Sequence, residues 1–243
     1  ALANAIPDRV IAGHHADLVF PNIHGISPTD GRLFIVGIGP LGGGWGGKRV
    51  EDGVSATVCM NDGDTHNSPS EQLESKYPVL VERYALRTDS AGAGKHRGGL
   101  GAEMVVQALS PFAVTTRIDR VHCKPWGLHG GKEAAGNGIG IRRNGNWETD
   151  MPNAKIFGVR LRQGDAYLMQ SGGGGGFGSP LERDPEQVAH DVREGYVSQE
   201  AAHQDYGVVV SAAGALDREA TQALRQRLRR GGSAGEAFEV IAG

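Results

Sequence analysis

Gly172 to Gly176 is a run of five consecutive glycines, closed by Phe177-Gly178. Glycine loses more conformational freedom on ordering than any other residue, so the run favours neither a helix nor a strand. A folded chain that keeps it either leaves it mobile or holds it where a backbone or ligand approaches closely. Further clusters fall at Gly42–Gly44 and Gly92–Gly101, and 39 of the 243 residues are glycine, against about 7% in average proteins. Hydrophobic residues make up 39% of the chain, enough to argue against low-complexity disorder. Clusters at the ends of apolar runs suit a β-rich protein with many tight turns.

The strand signals are short runs rich in Val, Ile, Leu, Phe or Tyr, bounded by Gly, Asn, Asp or Pro. They fall at 33–38, 56–60, 79–87, 102–109, 112–118, 138–143, 156–161 and 166–169. Asn144-Gly145 marks a hairpin turn. Ala1 to Ile6 reads as the end of a helix stopped by Pro7. Ser68-Pro69-Ser70-Glu71 has the order of a capping box and predicts a helix start, and Asp184-Pro185-Glu186 predicts another, stopped by Gly195. Ser198 predicts a short helix to about Asp205, and 217–230 a helix with Leu216, Ala220, Leu224 and Leu228 on one apolar stripe. Strands first and helices last predict an α+β fold: β-rich, mainly antiparallel sheets, sandwich-like, with a C-terminal helical tail. The expected organisation is a β-rich core over 1–178 and a helical tail over 179–243, packing on the core or on a partner.

A net charge of -3 gives no electrostatic case for nucleic acid or an anionic membrane as partner. No apolar run approaches the roughly 18 residues of a membrane span. Cys59 and Cys123 are too few for a disulfide framework, and a reduced, cytoplasmic protein is the simpler expectation.

Several motifs suggest chemistry. Gly37-Ile38-Gly39-Pro40-Leu41-Gly42 matches the dinucleotide fingerprint, but the glycines that follow cannot open the helix whose N-terminus would hold a pyrophosphate. Gly42 to Lys48 has P-loop spacing, yet Arg49 stands where a magnesium-binding hydroxyl belongs. Asn61 to Asn67 is the densest polar cluster, and its Asp64 and His66 are candidates for proton transfer. A loop that caps the next helix explains the same residues. His14-His15-x-Asp17 and Asp119-Arg120-x-His122-Cys123 are partial metal patterns without the ligand set that zinc requires. Lys95-His96-Arg97 between glycines could hold a phosphate or carboxylate, and an exposed turn is the alternative.

A set of stretches in order resembles the hydantoinase B/5-oxoprolinase family. They are 65–74, Tyr77-Pro78-Val79, 82–87, 89–101, 125–131, 172–178, Arg183-Asp184-Pro185 and 205–209. The resemblance spans about 42–210 and implies an ATP-dependent enzyme that opens a cyclic amide such as a hydantoin or lactam. A ketone carboxylase of the acetone or acetophenone type is the alternative, and a non-catalytic assembly module of such a complex is a third reading. It also implies ATP bound on a hydantoinase A-type partner subunit, and a divalent metal (Mg, Mn or Zn) on the N-terminal hydantoinase B portion, outside this chain. This chain is then expected to be inactive alone. The candidate catalytic residues are Asp64, from the polar cluster at 61–67, and His66, His96 and Arg97 within the matching stretches, where the candidate substrate-binding residues are Glu71 and His129.

Overall fold

The structure is a computed structural model that describes residues 6, 9–58, 67–211 and 213–231. Its contacts group the chain into two units, Ala1–Pro180 and Leu181–Gly243. The expected helix end at 1–6 lies outside the described residues, apart from Ile6.

The first unit holds two antiparallel sheets. β1 (Pro21–Ile26), β2 (Leu33–Gly37), β5 (Phe112–Thr116) and β8 (Val159–Leu161) form one, in the order β2-β1-β5-β8. β3 (Val79–Leu86), β4 (Ala102–Ala108), β6 (Gly138–Arg143), β7 (Asn146–Glu148) and β9 (Ala166–Gln170) form the other, in the order β3-β4-β9-β6-β7. Register explains the core. Met104 faces Met169, and Val106 faces Tyr167, while Ile139 and Ile141 meet the same two residues from the other side. Because side chains alternate across a strand, these six lie on one face. Ile23 and Val114, paired across the smaller sheet, join them in one buried cluster. Phe112 meets Tyr167 edge to face at 6.5 Å between ring centroids, so the inner faces of the two sheets pack together as the expected sandwich.

The sequence-predicted strands differ in detail. The stretch 56–60 supplies only a bridge from Thr57 to Gly43, and Cys59 and Met60 lie outside the described residues. The run from Ile156 shortens to β8, because Gly158 turns at φ +60°. β1 was not among the strand signals, since Pro21, Asn22 and Gly25 dilute its apolar pattern. The hairpin at Asn144-Gly145 has φ of 50° and 81°, the two left-handed residues that a type I′ turn requires. α1 (Ser70–Lys76) begins two residues after Ser68, and no side chain caps it. The expected capping box is therefore absent: Pro69 stands at the cap position in an extended conformation.

Between the strand ends runs the glycine-rich part of the chain, where backbone packs on backbone. Along 172–178 successive amides donate in different directions. Gly173 and Gly176 donate to the carbonyls of Ala135 and Lys132, Gly174 and Phe177 to those of Gly99 and His96, and Gly175 to that of Gly13. Bonds to one neighbour recur every third residue, the period of an extended, three-residue-per-turn helix. A Cβ on Gly174 would lie 1.8 Å from the carbonyl oxygen of Trp45, and one on Gly98 would lie 1.7 Å from that of Gly174. Glycine is thus required here by close approach, and the expectation of a run either mobile or held resolves to a run that is buried and held.

The second unit contains α2 (Pro185–Arg193), α3 (Gln199–Tyr206), a short hairpin of β10 (Val209–Val210) and β11 (Leu216–Asp217), and α4 (Arg218–Gly231). Asp184 caps α2 by accepting from the Glu186 amide, and Ser198 caps α3 through the Ala201 amide, as their sequences anticipate. Arg183 and Asp191 form an ion pair at 2.9 Å, with side chains only 3% and 4% exposed. The buried side of α4 centres on Thr221 and Leu224, while Leu228 is 37% exposed. The buried line is thus shorter than the expected stripe.

Candidate functional site

Two groups of polar side chains gather on the glycine-rich core. The first surrounds Phe177. His96 pairs with Phe177 by backbone bonds in both directions, and the His129 ring lies 4.9 Å from the Phe177 ring. Asp52 accepts from the Arg97 amide at 2.9 Å, and its carboxylate lies 3.9 Å from Arg97 Nε and 4.0 Å from His96 Nδ1. The Arg97 guanidinium is buried and also donates to the Gly98 carbonyl at 3.0 Å. The structure therefore brings His96 and Arg97 to Asp52, an acidic partner absent from the sequence motif, and sets His129 against the Phe177 ring. His129 is exposed, with φ of 51°. Glu71 stands elsewhere, exposed in the first turn of α1. Asp64 and His66 lie outside the described residues.

The second group is built on His14, His15 and Asp17. Their segment enters the glycine-rich core, where the His15 amide donates to the Gly44 carbonyl at 3.0 Å. The His15 ring packs against Gly43, where a Cβ would lie 2.3 Å from it. His15 is fully buried, and neither ring nitrogen has a hydrogen-bond partner. Trp45 Nε1 is likewise buried without a partner, and the His14 ring stacks on Trp45 at 5.6 Å and 15°. Burial, and then the nearby His14, push the His15 imidazole down to about 4; the backbone of Asp17 and Gly44, close to the ring without completing a hydrogen bond, opposes the shift. It is neutral at pH 7, with one nitrogen able to accept and one able to donate.

Asp17 completes this group. Its carboxylate accepts from Asn137 Nδ2 at 2.7 Å and from the Asp119 amide at 2.9 Å. Burial raises its pKa above the usual carboxylate value, and these hydrogen bonds oppose that. Asn137 Oδ1 in turn accepts from the Gly172 amide, which ties the cluster to the glycine run. Arg120 donates to the His14 carbonyl at 3.1 Å and lies 5.5 Å from the centre of the Trp126 ring. The sequence motif at 14–17 signalled this group, but nothing local signalled Trp45, Asn137 or Arg120 as its neighbours. Unpartnered buried polar atoms are rare in folded proteins and gather where a ligand, a proton or water is handled. His15 and Trp45 Nε1 meet that description.

Among the described residues no group of three or more His, Cys, Asp or Glu side chains is placed to hold a metal ion. A divalent metal fits neither group. Cys123 is an exposed free thiol. Among the described residues no helix is long and apolar enough to cross a membrane.

Residues 1–180 match the family model of hydantoinase B/oxoprolinase. This chain belongs to the hydantoinase B/oxoprolinase family. It is 31% identical over 226 residues to the B-type subunit of a putative D-/L-hydantoinase from Pseudomonas sp. (strain NS671), covering 93% of this chain and 37% of that protein. The crystal structure of an ATP-dependent caprolactamase from Pseudomonas jessenii superposes with a TM-score of 0.82 at 30% identity, over 93% of this chain and 40% of that one. A nucleotide-free acetone carboxylase shares the fold, with a TM-score of 0.81 at 23% identity, over 98% of this chain and 36% of that one. The chain spans 36–40% of the length of these relatives.

Proposed function

We propose that this chain forms part of an ATP-dependent cyclic amide hydrolase, opening a hydantoin-like or lactam ring together with other polypeptide. The observation that supports this most is the likeness to the ATP-dependent caprolactamase over 93% of this chain, at 30% identity and a TM-score of 0.82. Because the chain spans well under half of that relative, the reading includes partners: a hydantoinase A-type subunit that binds ATP, and the N-terminal hydantoinase B portion. The chain is inactive alone in this reading, and the assembly is cytoplasmic.

An amide resists attack because resonance gives its C–N bond partial double-bond character. ATP supplies the free energy to activate the carbonyl oxygen. The residues here would bind, orient and move protons. Neutral His15, unpartnered and buried beside Trp45, is suited to accept a proton from water or to donate to the ring. Arg97, held with His96 by Asp52, presents positive charge where an oxyanion develops. Asp64 and His66 remain candidate catalytic residues, and Glu71 and His129 candidate substrate contacts.

A second reading, a component of an ATP-dependent ketone carboxylase, draws on the acetone carboxylase fold match. A third gives the chain a purely assembling role. The test is to purify the chain with its bound partners from its source and supply ATP with 5-oxoproline, a hydantoin or caprolactam. The expected result is ADP and ring-opened product appearing together, lost in the His15→Leu and Arg97→Ala assemblies. ATP turnover only with a ketone and bicarbonate selects the carboxylase. Undiminished turnover by both variants, in intact assemblies, removes these residues from the chemistry.

A further inference from the structure

The edge of the smaller sheet carries a third polar feature, remote in sequence from both residue groups and independent of the proposed activity. β8 is that edge and, among the described residues, pairs only with β5. Beyond it, a cavity of about 540 Å³ is lined by Arg143, Arg160 and Arg162. Arg143 Nη2 donates to the Arg160 carbonyl at 3.2 Å, which fixes the first guanidinium over the open edge. All three side chains are exposed, and none pairs with a carboxylate among the described residues. The carboxylate that also lines the cavity, Asp165, instead accepts from the Arg162 backbone amide at 2.9 Å. Three positive charges against the single carboxylate of Asp165 leave the cavity cationic, and an anion relieves the remaining repulsion.

The wall continues past Arg160 and Leu161 into a second cavity of about 610 Å³, whose floor includes Ile26, Phe112 and Ala113. There the Ser110 Oγ is buried with no hydrogen-bond partner. One end of the surface is therefore cationic, the other apolar, and they share Arg160. Planar guanidinium groups bind carboxylates and phosphates in paired hydrogen bonds, and volumes of this size hold small molecules.

We infer that this composite cleft is a binding site for an organic oxyanion, a carboxylate or phosphate carried on an apolar body. The head group sits among Arg143, Arg160 and Arg162, and the apolar body lies along the exposed Ile26 and beside Ala113. The same arginines serve either head group, so the experiment separates them.

Isothermal titration calorimetry at low ionic strength compares inorganic phosphate, hexyl phosphate and hexanoate on the full chain and on an Arg160→Ala/Arg162→Ala double variant. At least one alkyl anion is expected to bind about tenfold or more tighter than inorganic phosphate, because each methylene buried adds up to about fourfold. The stronger of the two identifies the head group. The double variant is expected to lose about tenfold or more, the loss of charge-assisted hydrogen bonds. Failure of both alkyl anions to bind, affinity no better than that of inorganic phosphate, or unchanged affinity in the variant would overturn the site. Both residues are exposed, and an unchanged melting transition verifies folding. Should the double variant not fold, Arg162→Ala alone is read in the same way.

Discussion

Within the first unit, the two-sheet sandwich and the glycine-rich core are both buried, but they are held by different parts of the chain. In the sandwich, side chains such as Met104, Val106, Tyr167 and Met169 fill the space between the sheets, and free energy comes from apolar area removed from water. In the glycine core, carbonyls and amides of 12–15, 43–47, 90–101, 126–135 and 172–178 bond one another directly, and the glycines themselves have no side chain to remove or resize. The sandwich should therefore respond to substitution in proportion to lost volume, whereas the glycine core should respond to any added atom. The polar groups that suggest chemistry stand on the second region, where His15 lies against Gly43 and Arg97 is flanked by Gly98.

The largest effect that separates the regions is Gly174→Ala. The added methyl meets the Trp45 carbonyl at 1.8 Å, and the expected cost exceeds about 4 kcal/mol, enough to prevent the unit from folding. Near-ultraviolet circular dichroism and denaturant melts measure it, and a native-like melt would break the comparison. Met169→Ala in the sandwich removes a fully buried side chain. It should cost about 2–5 kcal/mol and leave a folded protein with a lower denaturation midpoint.

The next effect depends on pH. His15 stays neutral down to about 4, whereas an unfolded chain protonates histidine near pH 6.5. Between these values the unfolded state binds the extra proton, so stability rises with pH across the window. It is lost as pH falls from 6.5 towards 4, by about 3 kcal/mol from this residue. Asp17, with its pKa raised by burial, acts in the opposite sense: its contribution is largest at low pH and declines as pH rises through its folded value. Subtracting the stability profile of His15→Leu from that of the native protein isolates the histidine. A difference that is flat from pH 4 to 6.5 would show that the imidazole is solvated.

Two smaller changes sharpen the contrast. Gly145→Ala sits at φ +81° with open space around it, so only backbone strain acts and about 1–2 kcal/mol is expected. Steric intolerance is thus confined to the glycine core and is not a property of every glycine. Tyr167→Phe removes a buried hydroxyl that has no partner. It should stabilise the sandwich by about 1 kcal/mol, read as a higher melting temperature.

Much of the sandwich was legible in the sequence because period-two apolar runs and the Asn144-Gly145 turn are local signals. The caps at Asp184 and Ser198 were legible for the same reason. β1 was not, because pairing on both sides with β2 and β5 overrides the weak strand propensity of Pro21, Asn22 and Gly25. The glycine run left two outcomes open, since its neighbours lie far apart in sequence and only the fold brings Gly13, Gly99 and Lys132 to it. Site residues divide in the same way: the pattern at 14–17 could be read locally, whereas Asp52 beside Arg97 and Trp45 beside His14 are tertiary facts.

Hydrogen–deuterium exchange of the backbone amides most directly tests the claim that the glycine core is a solid scaffold for the candidate site. The amides of Gly173 to Phe177 should exchange as slowly as those of β4 and β9, because each is bonded to a carbonyl inside the fold. Exchange at the rate of an exposed loop, while β4 and β9 stay protected, would contradict the account.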